Sequence, residues 1–388
     1  MTVPFHILIF EPRVEGHHLS WLHYITEDLL SAGFKLTLAV DNRPKAKERI
    51  QEEFSALSEK VGIIPVFDKE GKFCGGNKLK TIAACLKESG AQEVFLPNLD
   101  EIASDCLRFA ALGIYPPDIL KGRLSGVYHR PRSLANPTWP LSNRIKTMGF
   151  RRLSRHGWLK NIWLVDEYLV QTLKNQYPGL TFRFMPDPGC GNFSHRKEYA
   201  RKALGIPLDK FVFLNYGIPA RRKGLHLAVR AMLDTPPESR LFLLCAGRIR
   251  RDPEVLNGLK KLGELRLAYV MDRYISDLEE KLCFCASDVV LLPYIKHFGS
   301  SAVLSRAVAA GKMVIASDEG LIGKRVRNHN LGWLFPSKNS GELRKAMEKA
   351  AVLTESDRAL FQKSALCYAR SCSREAFRTS LLSPYLLF

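Results

Sequence analysis

The chain alternates short β-rich runs with helical stretches along its whole length, and this alternation constrains the fold more than any other feature. Strand candidates separated by a dozen or more residues need crossover connections, which are those of parallel sheets. The first half offers strands at His6–Phe10, Lys35–Val40, Gly62–Phe67, Glu93–Pro97 and Leu124–His129, with helices such as Leu19–Ala32 and Lys78–Gly90 between them. The second half offers strands at Phe211–Tyr216, Leu241–Cys245, Leu267–Met271, Asp288–Pro293, Met313–Ser317 and Trp333–Phe335. Each half is therefore predicted to be a doubly wound α/β domain.

The length of 388 residues also favours two domains, because a single core stops growing at about 250–300 residues. Two prolines and a glycine in Pro186-Asp187-Pro188-Gly189 disfavour regular structure and mark a linker. We expect two Rossmann-like domains in tandem, over residues 1–188 and 189–370, followed by a tail over 371–388. The tail ends in the apolar stretch Leu381–Phe388, so we expect a C-terminal helix that packs back on the N-terminal domain.

Composition points to a folded, cytoplasmic protein. No window approaches the ~18–20 consecutive apolar residues of a membrane span, and the N-terminus lacks the basic region of a signal peptide. The nine cysteines are scattered, and their one close pair, Cys283-x-Cys285, matches no zinc or redox spacing. We expect reduced core thiols, as in the cytosol.

The net charge of +19 calls for an anionic partner, and much of the positive charge is concentrated in one segment. Ile119–Val165 contains no Asp or Glu and ten Lys or Arg residues. Within it, Asn143–Leu159 interleaves bases with Ile145, Met148, Phe150, Leu153, Trp158 and Leu159. This pattern is typical of a helix at an anionic membrane surface and equally of a solvated basic helix. No zinc-finger or RNP motif is present, so we expect no nucleic-acid partner.

One loop has the composition of a phosphate site. Gly299-Ser300-Ser301 follows an apolar strand and opens a helix of small residues. Ligands of open parallel sheets bind at the carboxyl ends of strands, and the free N–H groups of a helix N-terminus attract anions. The same three residues also suit a simple capped helix start.

The helix and strand after this loop, from Arg306 to Ser317, resemble the best-known block of the family-4 glycosyltransferases, which have a GT-B fold. That block reads "EAMAAGKPVIAS" in the family and Arg-Ala-Val-Ala-Ala-Gly-Lys-Met-Val-Ile-Ala-Ser here. The segment from Asn215 to Leu225 resembles the family's Gly-Arg...Lys-Gly loop, with Lys223 as the close match. In the first half, Leu124–His129 resembles the strand that ends in a histidine facing the donor sugar, and Phe10–His18 resembles a Gly-containing loop near the diphosphate and acceptor.

The resemblance implies roles for individual residues. It implies catalytic roles for Lys223, His129 and Arg222. It implies donor-binding roles for Gly16, Gly217, Arg221, Arg273, Tyr274, Gly299, Ser300, Ser301 and Arg306. His17 and His18 are implied on the acceptor side. The chain contains no Asp-x-Asp motif, and we expect no metal and no cofactor beyond the nucleotide-sugar co-substrate.

The chain departs from the family at its motif of two glutamates eight positions apart. Phe298 and Arg306 stand at those positions, and Ile218 stands where the family has its loop arginine. In the family the second glutamate contacts the donor ribose. An arginine cannot accept a hydrogen bond from a hydroxyl, so Arg306 is expected either to meet an acidic donor or to pair with a protein carboxylate such as Glu319.

The resemblance implies a retaining glycosyltransferase of polysaccharide biosynthesis that moves a sugar from a nucleotide-sugar to a glycan, lipid-linked or other acceptor. The basic face suits peripheral attachment to the cytoplasmic side of a membrane. A degenerate, non-catalytic partner protein is the alternative, since two donor contacts are altered. A nucleotide-sugar epimerase on the same fold is less favoured, because paired carboxylates are not evident.

Overall fold

A computed structural model describes residues 4–15, 17–189, 191–218, 220–236, 238–249 and 252–385, apart from the side chains of His17 and Ser58. The chain divides into two compact units. The first unit is Met1–Met185 together with Arg378–Phe388, and the second is Pro186–Phe377. The C-terminal segment therefore returns to the first unit, as the sequence predicted.

The first unit is a parallel sheet with helical crossovers. Its strands are β1 (His6–Glu11), β2 (Lys35–Val40), β3 (Val61–Pro65), β4 (Glu93–Leu96), β5 (Leu124–Tyr128), β6 (Leu159–Leu164) and β7 (Thr181–Phe184). Its helices are α1 (His17–Ser31), α2 (Pro44–Glu53), α3 (Lys78–Ser89), α4 (Asp100–Ala111), α5 (Arg132–Ala135), α6 (Leu141–Arg155) and α7 (Glu167–Gln176). The sheet order is β3-β2-β1-β4-β5-β6-β7.

The second unit repeats this plan. Its strands are β8 (Phe211–Tyr216), β9 (Leu241–Ala246), β10 (Ala268–Met271), β11 (Val289–Leu292), β12 (Met313–Ser317) and β13 (Gly332–Phe335). The helices that follow α7 are α8 (Lys197–Leu204), α9 (Leu225–Leu233), α10 (Pro253–Glu264), α11 (Asp277–Ala286), α12 (Ala302–Ala309), α13 (Gly320–Asn328), α14 (Ser340–Ala351), α15 (Glu355–Ser371) and α16 (Arg374–Leu382). The sheet order is β10-β9-β8-β11-β12-β13, and all described pairings are parallel.

Continuous apolar runs explain why the central strands form. Strand β1, with sequence His-Ile-Leu-Ile-Phe-Glu, is buried along its whole length, and β11, Val-Val-Leu-Leu, is buried likewise. Strands covered by helices on both faces carry such runs instead of alternating polar and apolar residues. The carboxyl ends of the inner strands are thereby held in rigid positions.

Most strand predictions agree with the structure to within one or two residues, but β6 and β7 were not predicted. Strand β6 follows directly on the basic helical segment, so its first residue, Leu159, was assigned to the helix. Strand β7 has only four residues, includes Arg183, and follows a Pro-Gly pair typical of a loop. Both strands lie on the outer side of β5 and extend the sheet beyond its central strands.

The return of the chain is held by specific contacts within the first unit. Leu381 of α16 is fully buried. The buried Trp163 side chain donates from Nε1 to the carbonyl of Ser380 at 3.0 Å, and the Tyr385 hydroxyl donates to Glu93 Oε1 at 2.8 Å. Each bond satisfies a polar group that would otherwise be buried without a partner, which costs roughly 1–3 kcal/mol.

Helix α6 forms where the basic segment predicted a helix, but half of its apolar residues belong to the core. Phe150, Leu153 and the following Trp158 are 1–3% exposed, which corrects their assignment to a membrane-facing surface. Ile145 and Met148 are 38% and 45% exposed and remain on the outer face. Helix α6 therefore has a buried face against α4 and a basic outer face.

The cysteine prediction is confirmed for most of the described thiols. Eight described cysteines are free, and six of them are buried. Cys74 and Cys367 are exposed, so they are not core residues as expected. Burial raises the pKa of the Cys106 and Cys245 thiols to about 12, and these two groups are therefore inert at neutral pH.

The close packing of α6 on α4 depends on Gly149. A Cβ atom at this position would overlap the carbonyl oxygen of Leu107 in α4. We predict that Gly149→Ala lowers the free energy of unfolding by roughly 2–3 kcal/mol, as expected for an overpacked interface. Gly263→Ala in α10 is the matched control, because a Cβ there meets no atom within 4 Å, and it should raise stability by roughly 0.5–1 kcal/mol. Urea titration of both variants measures the difference, and equal effects would contradict this account.

Candidate anion and sugar-nucleotide site

The second sheet reverses its strand order between β8 and β11. Successive strands run outward from β8 through β9 to β10 on one side, and from β11 through β12 to β13 on the other. The loops after β8 and β11 consequently leave in opposite directions and open a crevice at the carboxyl edge, where open α/β sheets bind ligands. The candidate site is therefore expected in the residues that follow Tyr216 and Leu292.

The loop after β8 is shaped by a glycine. Arg221–Lys223 forms a single 3-10 turn that ends at Gly224, whose φ of +71° lies in the left-handed region. A Cβ at Gly224 would overlap the carbonyl oxygen of Pro293, the residue after β11. Only glycine fits there, and the close approach brings the turn directly against the end of β11.

Lys223 lies close to Tyr294 and Gly217. Its Nζ lies 5.7 Å from the centre of the Tyr294 ring, and a Cβ at Gly217 would come within 3.3 Å of that Nζ. Burial, together with the charges of Arg222 and Arg306, lowers the pKa of Lys223 to about 8. Both arginines are therefore close enough to repel the ammonium of Lys223, and an anion bound beside it would relieve that repulsion.

Arg222 is tied to the serine loop through His297. Arg222 Nη1 lies 2.8 Å from His297 Nδ1, and His297 Nε2 lies 3.0 Å from the carbonyl oxygen of Ser300. Because a guanidinium cannot accept a hydrogen bond, Nδ1 is the acceptor and Nε2–H donates to Ser300. From the other side, the buried Arg325 donates from Nη1 to Ser300 Oγ at 2.7 Å. The loop is thus held in place by side chains of α13 and of the turn after β8.

Gly299, Ser300 and Ser301 precede α12, as predicted. Ser301 is the N-cap residue and is 7% exposed, and its hydroxyl lies 3.5 Å from the Tyr294 hydroxyl instead of bonding to the helix N–H groups. The first N–H groups of α12 therefore donate no hydrogen bond to this side chain. Such N–H groups and the positive end of the helix dipole favour an anion.

Arg306 pairs with a protein carboxylate, which was one of the two expectations, but the partner is Glu280 of α11 and not Glu319. Arg306 Nε donates to Glu280 Oε1 at 2.7 Å, and the Tyr216 hydroxyl donates to Glu280 Oε2 at 2.5 Å. Burial lowers the pKa of Arg306, but the carboxylate of Glu280 outweighs it and leaves the pKa raised. Glu319 instead accepts from the backbone N–H of Lys296 at 3.0 Å.

Of three other predicted donor-binding residues, two are paired elsewhere and one is exposed to solvent. Arg221 donates to Asp252 at 3.0 Å and is 62% exposed, and Arg273 forms a 2.5 Å ion pair with Glu279. Tyr274 is 85% exposed. None of the three makes a described contact with the cluster around Lys223, so their assigned roles remain predictions.

The first unit carries the predicted histidines at the carboxyl edge of its own sheet. Gly16 and the side chain of His17 lie outside the described residues. His18 Nδ1 lies 3.2 Å from Oε2 of Glu11, a carboxylate that is 1% exposed at the end of β1. The buried carboxylate of Glu11 can hold the imidazole of His18 in one orientation, as the orienting group of a catalytic base does.

His129 is also held in a fixed orientation. Its Nε2 lies 2.9 Å from the carbonyl oxygen of Pro97, and its ring packs edge-on against Trp21 at 4.8 Å between centres. Its backbone N–H donates to Asp100 Oδ2 at 2.7 Å. Burial raises the pKa of Asp100, against the lowering effect of His129 and of two backbone hydrogen bonds.

Sequence reasoning missed the partners of these residues, among them Glu280, His297, Arg325, Glu11 and Asp100. Glu11 is the last residue of β1, and His297 lies in the loop after β11. Their places at strand ends were a partial indication of a role in a site. Glu280 and Arg325 lie within helices, and nothing in the local sequence marks them. In the described part of the chain, no group of three or more His, Cys, Asp or Glu side chains is placed to hold a metal ion.

The two Rossmann-like units define the fold as GT-B, and solved structures of that fold are similar to the whole chain. The glycosyltransferase from Rickettsia africae ESF-5 has a TM-score of 0.65 at 16% identity, covering 98% of each chain. HepE of Anabaena in complex with UDP has a TM-score of 0.68 at 13% identity over all of both chains. WaaG, a glycosyltransferase involved in lipopolysaccharide biosynthesis, has a TM-score of 0.64 at 15% identity, covering 97% of this chain and 98% of WaaG.

Residues 196–365 match the family model of the glycosyl transferases group 1, and this match lies within the second unit. No curated protein sequence matches the chain. The matched segment contains Lys223, Glu280, Ser301 and Arg306. The family match supports a glycosyltransferase-like second unit, and the similar structures show the fold of the whole chain.

The low pKa of Lys223 gives a pH-dependent prediction. An anion binds the protonated ammonium, so affinity is full below the pKa of about 8 and falls as pH rises through it. We expect the affinity for inorganic pyrophosphate to fall on the order of tenfold between pH 7 and pH 9, measured by calorimetry. Lys223→Met corrects for ionisation of the ligand, and its affinity should not show this fall. A wild-type profile identical to that of the variant would contradict the assignment.

Proposed function

We propose that the protein is a retaining glycosyltransferase of the family-4 type that transfers a sugar from a nucleotide-sugar donor to a glycan, lipid-linked or other acceptor. The observation that carries the proposal is the cluster of Lys223, Arg222 and Arg306 at the carboxyl edge of the second sheet, beside the open N-terminus of α12. These groups suit a nucleoside diphosphate. HepE of Anabaena has been solved with UDP and with UDP-glucose, which supports a donor of this class.

Lys223 would stabilise the leaving diphosphate. Departure of the nucleotide concentrates negative charge on the phosphate oxygens, and a fixed cation lowers the barrier because it needs no reorganisation. Arg222 and Arg306 add charge, while Gly299, Ser300 and Ser301 offer donors. This set supports transfer without a divalent metal. In a retaining transfer, the acceptor oxygen attacks from the side of the leaving group, and the leaving phosphate can take its proton.

The first unit would bind the acceptor. His18, held by Glu11, and His129, held by Pro97, offer fixed imidazoles at the ends of β1 and β5. Such groups suit the hydroxyls of a glycan, since a neutral imidazole that donates one N–H to a carboxylate or a carbonyl presents an acceptor at its other nitrogen. A panel of glycan and lipid-linked acceptors identifies the acceptor.

A degenerate, non-catalytic partner protein is the second candidate. The observation that favours it is Phe298, which is 62% exposed at the position of the family's first glutamate and can make no hydrogen bond to a sugar. Such a protein would retain the anion site but lack turnover. Nucleotide binding without release of nucleotide from any sugar donor would identify it.

The direct test is release of nucleotide from a panel of nucleotide-sugars in the presence of a glycan and lipid-linked acceptor panel. We expect Lys223→Ala to cost roughly 3–4 kcal/mol of transition-state stabilisation, a rate loss on the order of a hundredfold or more. Lys345→Ala on α14, where the lysine pairs with Glu342 at the surface, is the matched control and should be unaffected.

Three further readouts test the mechanism. NMR of the product should show the anomeric configuration of the donor, and EDTA should leave the rate unchanged. An inverted product would overturn the retaining assignment, and strict dependence on magnesium or manganese would overturn the metal-independent one. Full activity of Lys223→Ala would remove Lys223 from the mechanism.

We also propose that the first unit attaches to an anionic membrane surface. Apolar side chains are exposed at the C-terminal end of α4 and around α6. They are Phe109, Leu112, Ile114, Trp139, Leu141, Ile145 and Met148. Arg152 of α6 donates to the carbonyl of Ala111 at 2.9 Å, which joins the two groups into one surface. Part of this surface belongs to the basic, acid-free segment, and the rest directly precedes that segment in the chain. Positive charge and exposed apolar area therefore occur together.

No described helix is long and apolar enough to span a membrane, and attachment would be at the surface. We predict binding to vesicles that contain anionic lipid, weakening as salt rises because the Debye length falls from ~10 Å at 0.1 M to ~3 Å at 1 M. The double variant Ile145→Ser with Met148→Ser should reduce flotation severalfold. Leu360→Ser with Leu366→Ser on α15 is the control, since both leucines are comparably exposed. Equal flotation on neutral and anionic vesicles would contradict the proposal.

A further inference from the structure

The carboxylate of Glu280 is in direct contact with the cationic cluster of the second unit. Glu280 bridges Arg306 and Tyr216, with 2.7 Å to the guanidinium and 2.5 Å to the hydroxyl. Lys223 is close enough for its pKa to be lowered by Arg306. An acidic side chain at an anion site weakens binding of a diphosphate, because like charges repel across a few ångströms. A carboxylate beside Arg306 is therefore expected to have a role other than binding phosphate.

The geometry leaves Glu280 with capacity for a ligand. A carboxylate offers about four lone-pair positions, and the two described hydrogen bonds occupy one on each oxygen. Its side chain is 18% exposed and that of Arg306 is 28% exposed, so the pair is reachable from solvent. Tyr216, the last residue of β8, fixes the carboxylate at the edge where the strand order reverses.

The charged groups of this cluster suit different parts of a nucleotide, because some can only donate hydrogen bonds and one can only accept them. Lys223 and Arg306 can only donate, and they suit phosphate oxygens. Glu280, when ionised, can only accept, and the groups of a nucleotide that donate beside its diphosphate are the ribose hydroxyls. Carboxylates at the strand ends of dinucleotide-binding folds accept from ribose hydroxyls in the same way.

We propose that Glu280 accepts hydrogen bonds from the ribose hydroxyls of the bound nucleotide, while Arg306, oriented by Glu280, donates to its diphosphate. This inference rests on the proposed function, since it requires a nucleotide at this site. A carboxylate from α11 thereby supplies a hydrogen-bond acceptor where α12 presents an arginine. The charge of Arg306 is also compensated within the protein, so the corner disfavours a second carboxylate from an acidic sugar.

Calorimetry on the full chain can separate the two roles. The probes are UDP, GDP and ADP, their 2′,3′-dideoxy counterparts, and inorganic pyrophosphate. The wild-type protein should prefer the ribose form of its nucleotide by tenfold or more, because a site that accepts from hydroxyls rejects a ligand lacking them. In Glu280→Gln this preference should fall roughly tenfold, while pyrophosphate binds at least as tightly as before.

The control is Glu348→Gln, which removes a carboxylate that pairs with Arg344 on the surface of α14, and it should keep the wild-type preference. Glu280→Asp retains the charge but shortens its reach, and it should lose the preference even if Glu280→Gln does not fold. Equal weakening of every probe, pyrophosphate included, would show that Glu280 only braces Arg306 and would overturn the inference.

The remaining outcomes separate this inference from the proposed function. If the wild-type protein binds nucleotide but does not distinguish ribose from dideoxyribose, the inference falls and the proposed function stands. If it binds no nucleotide at all, both fall together.

Discussion

The candidate site depends on one close approach between two loops of the second sheet. The loops after β8 and β11 leave in opposite directions, and Gly224 lets them touch because it has no Cβ to meet the carbonyl of Pro293. The turn before Gly224 is thereby pressed against the end of β11, and Lys223 is held near the Tyr294 ring. A larger residue at position 224 would move the loop and, with it, the cation on which the anion site is centred.

The charged groups around Lys223 are arranged to bind an anion. Burial and the neighbouring charges of Arg222 and Arg306 lower the pKa of Lys223. Glu280 compensates part of this charge, and His297 and Arg325 hold the serine loop from either side. The site is in this sense preorganised, because its dipoles and cations are already in place before an anion arrives.

The sequence predicted the features that are encoded locally. Apolar runs located most strands to within one or two residues, and the loops carrying Lys223 and Ser301 were recognised because each follows such a run. The partners could not be found in this way. Glu280 and Arg306 are 26 residues apart on different helices, and their pairing exists only after folding. Likewise, helix α6 was recognised from its composition, but its two faces were confused because both carry large apolar side chains.

The return of the last residues to the first unit makes that unit discontinuous in sequence. Its sheet is complete by residue 185, yet Trp163 and Glu93 find their partners in Ser380 and Tyr385. On the ribosome, the entire second unit emerges before those partners do. The second unit can therefore reach its final packing before these partners of the first unit have been synthesised.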